Sequence, residues 1–482
     1  MNNRSILITC LVLLLAACLL VCCAAIVGAG VYLWSSASTI ESSGWEEIPA
    51  LEELIPTLEK VISTPAPVEP EATVSTTNPE NDTDNSPAGE TVSADVSRQM
   101  DEIQMQVVLD RGLKPSENVD RQLYSPDQLR QKVLDDFLED YSAEDSQTDA
   151  LTLAAFGLLE PDFDLYTFYT DLLSEQIAGF YDQKTKEMVV VQGEGFGGPE
   201  RLTYAHEYTH ALQDQNYDIE NGLNFNDDAC DADSERCAAI QALIEGDATL
   251  EEYNWFYANG TAEDQSEIMD FYNNLEMPIF DSAPEFLAMD FTFPYEYGYA
   301  FVESLYSQGG WGSVDRAYQD LPVSTEQILH PERYPDDKPI PTSLPDFAGT
   351  LGDGWEEIDR GTMGEWYTYL ILAKGQDTNA QLDDTEAQTA AEGWGGDAYV
   401  VYHNADSGET VMVLQTTWDS TDEAAEFAAA FRDYATGRFG SSPSDQWQGA
   451  DGYHTFDLDG DTTTWIMAPD AETAKAVWEN IP

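Results

Sequence analysis

The sequence predicts an α+β chain, with a mainly helical part that carries a small edge sheet and, after it, a small C-terminal α+β domain. Three observations predict this. Apolar residues recur at helical spacing at Met100, Ile103, Met105, Val107 and Val108, again at Leu129, Val133, Leu134, Phe137 and Leu138, and through residues 151–180 apart from Pro161. A strand, turn and strand pattern follows at Ala178-Gly179-Phe180-Tyr181-Asp182 and Glu187-Met188-Val189-Val190-Val191. From about residue 346 the texture changes to strands at 397–402 and 410–418, a helix at 421–434, and a hairpin of 454–458 with 462–467 turning at Asp459-Gly460.

Taken in order, residues 5–40 run for 36 positions without a charge, longer than the roughly 20 needed to cross a bilayer. Residues 1–40 therefore read as an uncleaved, single-pass membrane anchor. Arg4 precedes the run, and Glu41, Glu46, Glu47, Glu52 and Glu53 follow it, which leaves the C-terminal part outside the cytoplasm. A competing reading takes Leu15-Ala16-Ala17-Cys18 as a lipobox, with the chain cleaved and acylated at Cys18. Residues 41–97 are rich in Ser, Thr, Pro and Glu, with too little apolar surface for a core, and read as a disordered stalk. Residues 98–345 and 346–482 then form the two folded domains.

The chemistry is concentrated in His206-Glu207-Tyr208-Thr209-His210, which uses two of the five histidines of the chain. Gly197-Gly198 closes a loop, Pro199 suits the first helical position and Glu200 complements the positive helix end, so the motif lies on a helix. Side chains four apart share a helix face, so His206 and His210 present two imidazoles to one metal. Glu207 reaches the water held there rather than the metal, as a general base. A third ligand is required, and Glu245 is the candidate. It sits on the apolar helical run 238–250, followed by Gly246 and Ala248, which permit close packing against the first helix.

The pair of HExxH and Glu245-Gly246-Asp247-Ala248 resembles the gluzincin class of zinc metallopeptidases, of thermolysin-like or peptidase MA type. The resemblance covers roughly residues 172–334. Tyr204-Ala205-His206-Glu207-Tyr208-Thr209-His210-Ala211-Leu212-Gln213-Asp214 and Ser324-Thr325-Glu326-Gln327-Ile328-Leu329-His330-Pro331 are also similar to segments of uncharacterised membrane-anchored bacterial members. It implies one Zn2+ per chain, a zincin-like fold, and an upstream edge strand along which an extended peptide pairs. It further implies a Tyr or His that stabilises the oxyanion, for which this chain offers Tyr297, Tyr299 and His330. Thermolysin has an aspartate four residues after the glutamate ligand, where this chain has Thr249; Asp247 and Asp214 are the candidates for orienting the histidines.

Four of the six cysteines lie in the apolar N-terminal run, which leaves Cys230 and Cys237 to form a disulfide in an oxidising space. They flank an acidic stretch, 227–235, that invites Ca2+ but lacks the glycine and terminal glutamate of an EF-hand loop. Asp457, Asp459 and Asp461 are explained more simply by the hairpin turn. The net charge of −71 includes 24 acidic residues against Arg236 alone between positions 202 and 315. Such a field disfavours nucleic acid and anionic headgroups, and favours a cationic peptide or protein substrate; a salt or solubility adaptation of the surface explains it equally.

The expected function is therefore a membrane-anchored, extracytoplasmic zinc metallopeptidase. The alternatives are an inactive binding module on the same fold and a zinc hydrolase of non-peptide substrates. The sequence leaves the oligomeric state open.

Overall fold

The computed structural model describes residues 92–176, 179–183, 185–191 and 195–481. The expected anchor, the Cys18 lipobox and the stalk up to residue 91 lie outside them. Among the described residues no helix is long and apolar enough to cross a membrane. The first helix, α1 (Ala94–Arg111), begins before the expected end of the stalk because the Ser93 side chain accepts the Val96 N–H and caps it.

After α1 come β1 (Asp120–Tyr124), α2 (Pro126–Asp140), α3 (Ala143–Ala155), α4 (Leu165–Gln176), β2 (Gly179–Asp182) and β3 (Glu187–Val191). The helical run expected through 151–180 is broken from Phe156 to Asp164, a wider gap than Pro161 alone suggests, since Gly157 turns the chain at φ 83°. The three strands form a sheet of order β1-β3-β2, with β1 parallel and β2 antiparallel to β3, so β2 is an edge.

The helical part continues with α5 (Gly198–Tyr217), α6 (Asp227–Ala232), α7 (Ser234–Asn259), α8 (Ala262–Asn274), α9 (Glu285–Gly309), α10 (Trp311–Ala317) and α11 (Thr325–Leu329). α5 starts as expected, with Pro199 in its first turn and Glu200 accepting the Gly197 N–H. α7 is buried along most of its length, including Glu235, Gln241, Glu245, Asp247, Glu251 and Glu252. A β carbon on Gly246 would strike the carbonyl of Gly298, and one on Gly298 would strike that of Ala242. Gly246 therefore permits close approach of α9, and not of the HExxH helix as the sequence suggested. Residues 245 and 246 project about 100° apart on a helix, so the ligand face and the glycine face differ.

The C-terminal region holds β4 (Trp355–Gly361), α12 (Gly364–Ala373), α13 (Asp384–Ala391), β5 (Trp394–Asn404), β6 (Glu409–Trp418), α14 (Thr421–Phe439), β7 (Gln446–Gln448), β8 (Tyr453–Asp459), β9 (Thr462–Ala468) and α15 (Ala471–Trp478). Its strands form an antiparallel sheet of order β4-β5-β6-β9-β8-β7. The hairpin turns at Gly460, φ 68°, where a left-handed residue is needed. One sheet face carries Tyr399, Trp465 and Phe456 against α14 and against Phe156 after α3, within the same apolar core as Ile240 and Leu243 of α7. The other face packs Val400, Val411 and Ile466 on Ala474 and Val477 of α15.

Candidate metal centre

α5 brings His206 and His210 one turn apart, and α7 supplies Glu245 opposite them. His206 Nε2 and His210 Nε2 are 3.0 Å apart; Glu245 Oε2 is 3.3 Å from the first and 3.2 Å from the second. Donors at about 2.05 Å from a tetrahedral zinc are separated by about 3.3 Å. The spacing therefore fits one ion. Glu207 also brings an oxygen within 4.8 Å of both rings, but its Oε2 accepts the Tyr181 N–H from β2 at 2.7 Å. Of the two carboxylates, Glu245 is the closer to the rings. All four side chains are buried.

The outer nitrogens settle what the inner ones offer. His206 Nδ1 meets Glu252 Oε2 at 3.0 Å, and His210 Nδ1 meets Gln213 Oε1 at 2.8 Å. The Gln213 amide nitrogen donates to the Ile244 carbonyl at 2.9 Å and to Asp247 Oδ2 at 3.0 Å, so the oxygen is the atom turned to His210. Both rings thus carry a proton on Nδ1 and turn an Nε2 lone pair inward. Two lone pairs and a carboxylate oxygen converge with no donor among them, an arrangement that requires a cation. Without a metal, that cation is a proton. Burial opposes the imidazolium of His206, but Glu245 and Glu252 outweigh it and hold its pKa well above the ordinary value; His210 is raised in the same way by Glu245. Glu245 is drawn down to about 2, the two histidines overcoming its burial. Burial raises Glu207.

Asp247 and Asp214 meet neither histidine. Asp247 stands behind Gln213, where it receives Arg111 Nε at 2.6 Å, Arg111 Nη2 at 3.0 Å and the Tyr318 hydroxyl at 2.8 Å. Position 247 is two residues beyond Glu245 and so leaves its face, whereas position 252 is seven beyond and returns to it. Asp214 accepts from the Tyr181 hydroxyl at 2.9 Å and Lys186 Nζ at 2.5 Å, tying α5 to the β2–β3 hairpin. Glu252 and Gln213 are the partners that sequence reasoning missed. Their spacings, seven from Glu245 and three from His210, are the signals that point to them.

The oxyanion candidates scatter. The tyrosine of its segment that packs on His206 is Tyr295, fully buried, with ring centroids 6.5 Å apart. Tyr297 lies against Phe293 and Trp366, and Tyr299 against Tyr253. His330 belongs to a different place: its Nε2 is 2.8 Å from Glu365 Oε1 of α12, and burial pushes its pKa down to about 4. Cys230 and Cys237 form the expected disulfide, with Cα atoms 5.5 Å apart, joining α6 to the first turn of α7. The acidic stretch around them is helical. Asp233 caps α7 through the Arg236 N–H, and Glu235 accepts from the Thr325 hydroxyl at 2.8 Å, so these carboxylates are used for packing.

The centre is thus a buried HExxH motif of the zinc-binding kind, with the Glu245 carboxylate of a second helix beside it. Residues 351–478 match a family described as a domain of unknown function (DUF8575), which covers the C-terminal sheet and not the HExxH helix. Comparison with curated proteins and with solved structures finds no significant match.

Proposed function

We propose that the chain is a gluzincin-type zinc metallopeptidase, with His206, His210 and Glu245 holding one zinc. The observation that carries this is the convergence of three acceptor atoms within 3.0–3.3 Å while both Nδ1 protons face outward. When bound, zinc supplies Lewis acidity, lowering the pKa of a water to about 7 and polarising a carbonyl. Glu207 takes the proton of that water on its carboxylate and returns it to the leaving amine, while the Tyr181 N–H keeps the carboxylate oriented. Glu252 and Gln213 hold the two imidazoles in the tautomer that binds. Tyr295, whose ring packs on His206, joins Tyr297, Tyr299 and His330 as a candidate to face the oxyanion.

A peptide substrate is favoured by β2, an edge strand lying against α5 beside Glu207, since an extended chain adds to such an edge through main-chain hydrogen bonds. The acidic surface selects cationic sequences. In this reading residues 1–40 hold the enzyme on a membrane, and residues 98–345 and 346–482 are its catalytic and accessory domains outside the cytoplasm.

The test is elemental mass spectrometry of the full-length chain beside His206→Ala, followed by a peptide-library screen. One zinc per chain that is lost in His206→Ala, with cleavage lowered about 10²–10⁴-fold in Glu207→Gln at full zinc content, is the expected result. Wild-type protein without zinc after zinc is offered, or equal turnover by Glu207→Gln, overturns it.

A further inference from the structure

A cavity of about 220 Å³ opens at the start of α7, about 15 Å along that helix from Glu245. The junction of α6 with α7, the loop 339–342, the end of β4 and the start of β5 wall it. Ala232, Asp233 and Pro341 form an exposed rim, while Glu235, Trp394 and Asp397 form a buried floor. No lysine or arginine is among the residues that line it.

The floor holds a carboxylate oxygen without a partner. Glu235, only 3% exposed, spends Oε1 on the Thr325 N–H at 2.5 Å and the Thr325 hydroxyl at 2.8 Å, and among the described residues no donor reaches its Oε2. A β carbon on Gly364 would strike that Oε2, and the Gly364 N–H itself goes to Asp397 Oδ2 at 2.9 Å, so the two carboxylates meet at this glycine. Asp397 also accepts the Met363 N–H on Oδ1 at 2.8 Å and the Trp394 indole N–H on Oδ2 at 2.7 Å. Burial, with Asp397 adding to it, holds Glu235 well above the ordinary carboxylate value, and burial pushes Asp397 up to about 6 despite its three donors. Two buried carboxylates side by side, with no cation in the wall, leave the floor short of positive charge.

We propose that this cavity binds one guanidinium group, which donates to Glu235 Oε2 and to Asp397 on the floor while Asp233 faces it from the rim. The volume lies below the roughly 300 Å³ at which pockets for drug-sized ligands begin, so the cavity takes one group of side-chain size. Its carboxylates are not among the sets of described residues whose donor atoms all gather within 4.8 Å, so they are too spread to wrap a single metal ion. A planar guanidinium, with five donors in a fixed fork, reaches separated acceptors at once, and Asp397 Oδ1, with one donor, keeps a lone pair for it. It is also more weakly hydrated than an ammonium, which lowers the cost of entering a buried floor, and it stacks on aromatic rings such as that of Trp394. The group comes either on a free arginine-like molecule or on an arginine of a peptide.

The site is independent of the zinc reading, and so is its test. N-acetyl-L-argininamide and free L-arginine are each titrated calorimetrically into the full-length chain at about 150 mM salt, which screens weak binding to the general acidic surface. The expected result is one saturable site per chain in wild type and in His206→Ala, at least tenfold weaker in Glu235→Gln, which keeps an acceptor for Thr325. Tighter binding of the amide assigns the site to an arginine of a peptide, and tighter binding of the amino acid to a free small molecule. Ala232→Trp, which closes the mouth and leaves both carboxylates in place, is expected to abolish binding, and it decides if Glu235→Gln fails to fold by circular dichroism. No saturable site in wild type, an affinity unchanged by these substitutions, or full displacement of the argininamide by an equal concentration of calcium overturns the proposal.

Discussion

Glu245 and Glu252 stand two helical turns apart on α7 and take the two nitrogens of the same ring, His206 Nε2 at 3.3 Å and Nδ1 at 3.0 Å. One helix thus positions the ring from both sides. Glu252→Ala removes the acceptor that fixes the Nδ1–H tautomer, and zinc affinity is expected to fall about 10–100-fold. Glu252→Gln, which keeps an acceptor oxygen, recovers part of it. Competition with a chromophoric chelator measures both, and a variant that binds zinc as tightly as wild type would sink the assignment.

Metal removal has a pH signature. In the zinc-free protein His206 and His210 have pKa values raised above the unfolded value near 6.5, so the stability they contribute is fully present below about pH 6.5 and is lost as pH rises through the folded values. Zinc competes with those protons and behaves in the opposite sense. The zinc-induced rise in melting temperature is therefore expected to grow between about pH 6 and pH 8. Differential scanning fluorimetry with zinc and with chelator checks it; a pH-independent gap is the contrary result.

Gly298→Ala places a methyl group against the Ala242 carbonyl of α7, one turn from Glu245. Separation of the two helices is expected to cost about 1–3 kcal/mol in denaturant unfolding and to weaken zinc binding at the same time. A stability loss without any change in zinc affinity would show that α9 supports the fold but not the ligand.

Arg111 and Asp247 form an ion pair with both side chains fully buried, and Asp247 in turn receives the Gln213 amide behind His210. Arg111→Met leaves the carboxylate buried without its cation, with an expected loss of about 3–5 kcal/mol. The double variant Arg111→Met with Asp247→Leu is expected to recover much of it, because no fully buried charge is left unpaired; Asp315, the other carboxylate on Arg111, is 40% exposed to solvent. Chemical denaturation of the four proteins of this cycle gives the coupling.

Much of the centre was legible because its information is local. The four-residue spacing of His206 and His210 on α5 and the strand pattern of 179–191 are periodicities within one segment, as are β5, β6, α14 and the Gly460 hairpin. Legibility failed where a residue's role depends on a partner far along the chain. Asp247 looked suited to orient a histidine until its helical phase gave it to Arg111, 136 residues away. Gly246 looked like a contact with α5 and is one with α9. β4, α12 and α13 carry no clean period, since β4 is an edge strand with a register shift between Glu357 and Asp359 and α12 is buried on every side.

The sequence by itself determined the chemistry available: an HExxH helix, a carboxylate helix after it, two cysteines close enough to join, and a mainly helical chain followed by a sheet-rich one. Hydrogen-bonding distance and side-chain phase within a helix are set by a few neighbouring residues, so composition and spacing suffice for these. The tertiary structure alone decided which acceptor holds each imidazole, that Tyr295 rather than Tyr297 or Tyr299 lies on His206, and that His330 pairs with Glu365. Those assignments depend on how α7, α9 and α12 cross one another. Packing sets helix crossings through contacts such as Gly246 with Gly298, and such contacts join residues that nothing in the linear order brings together.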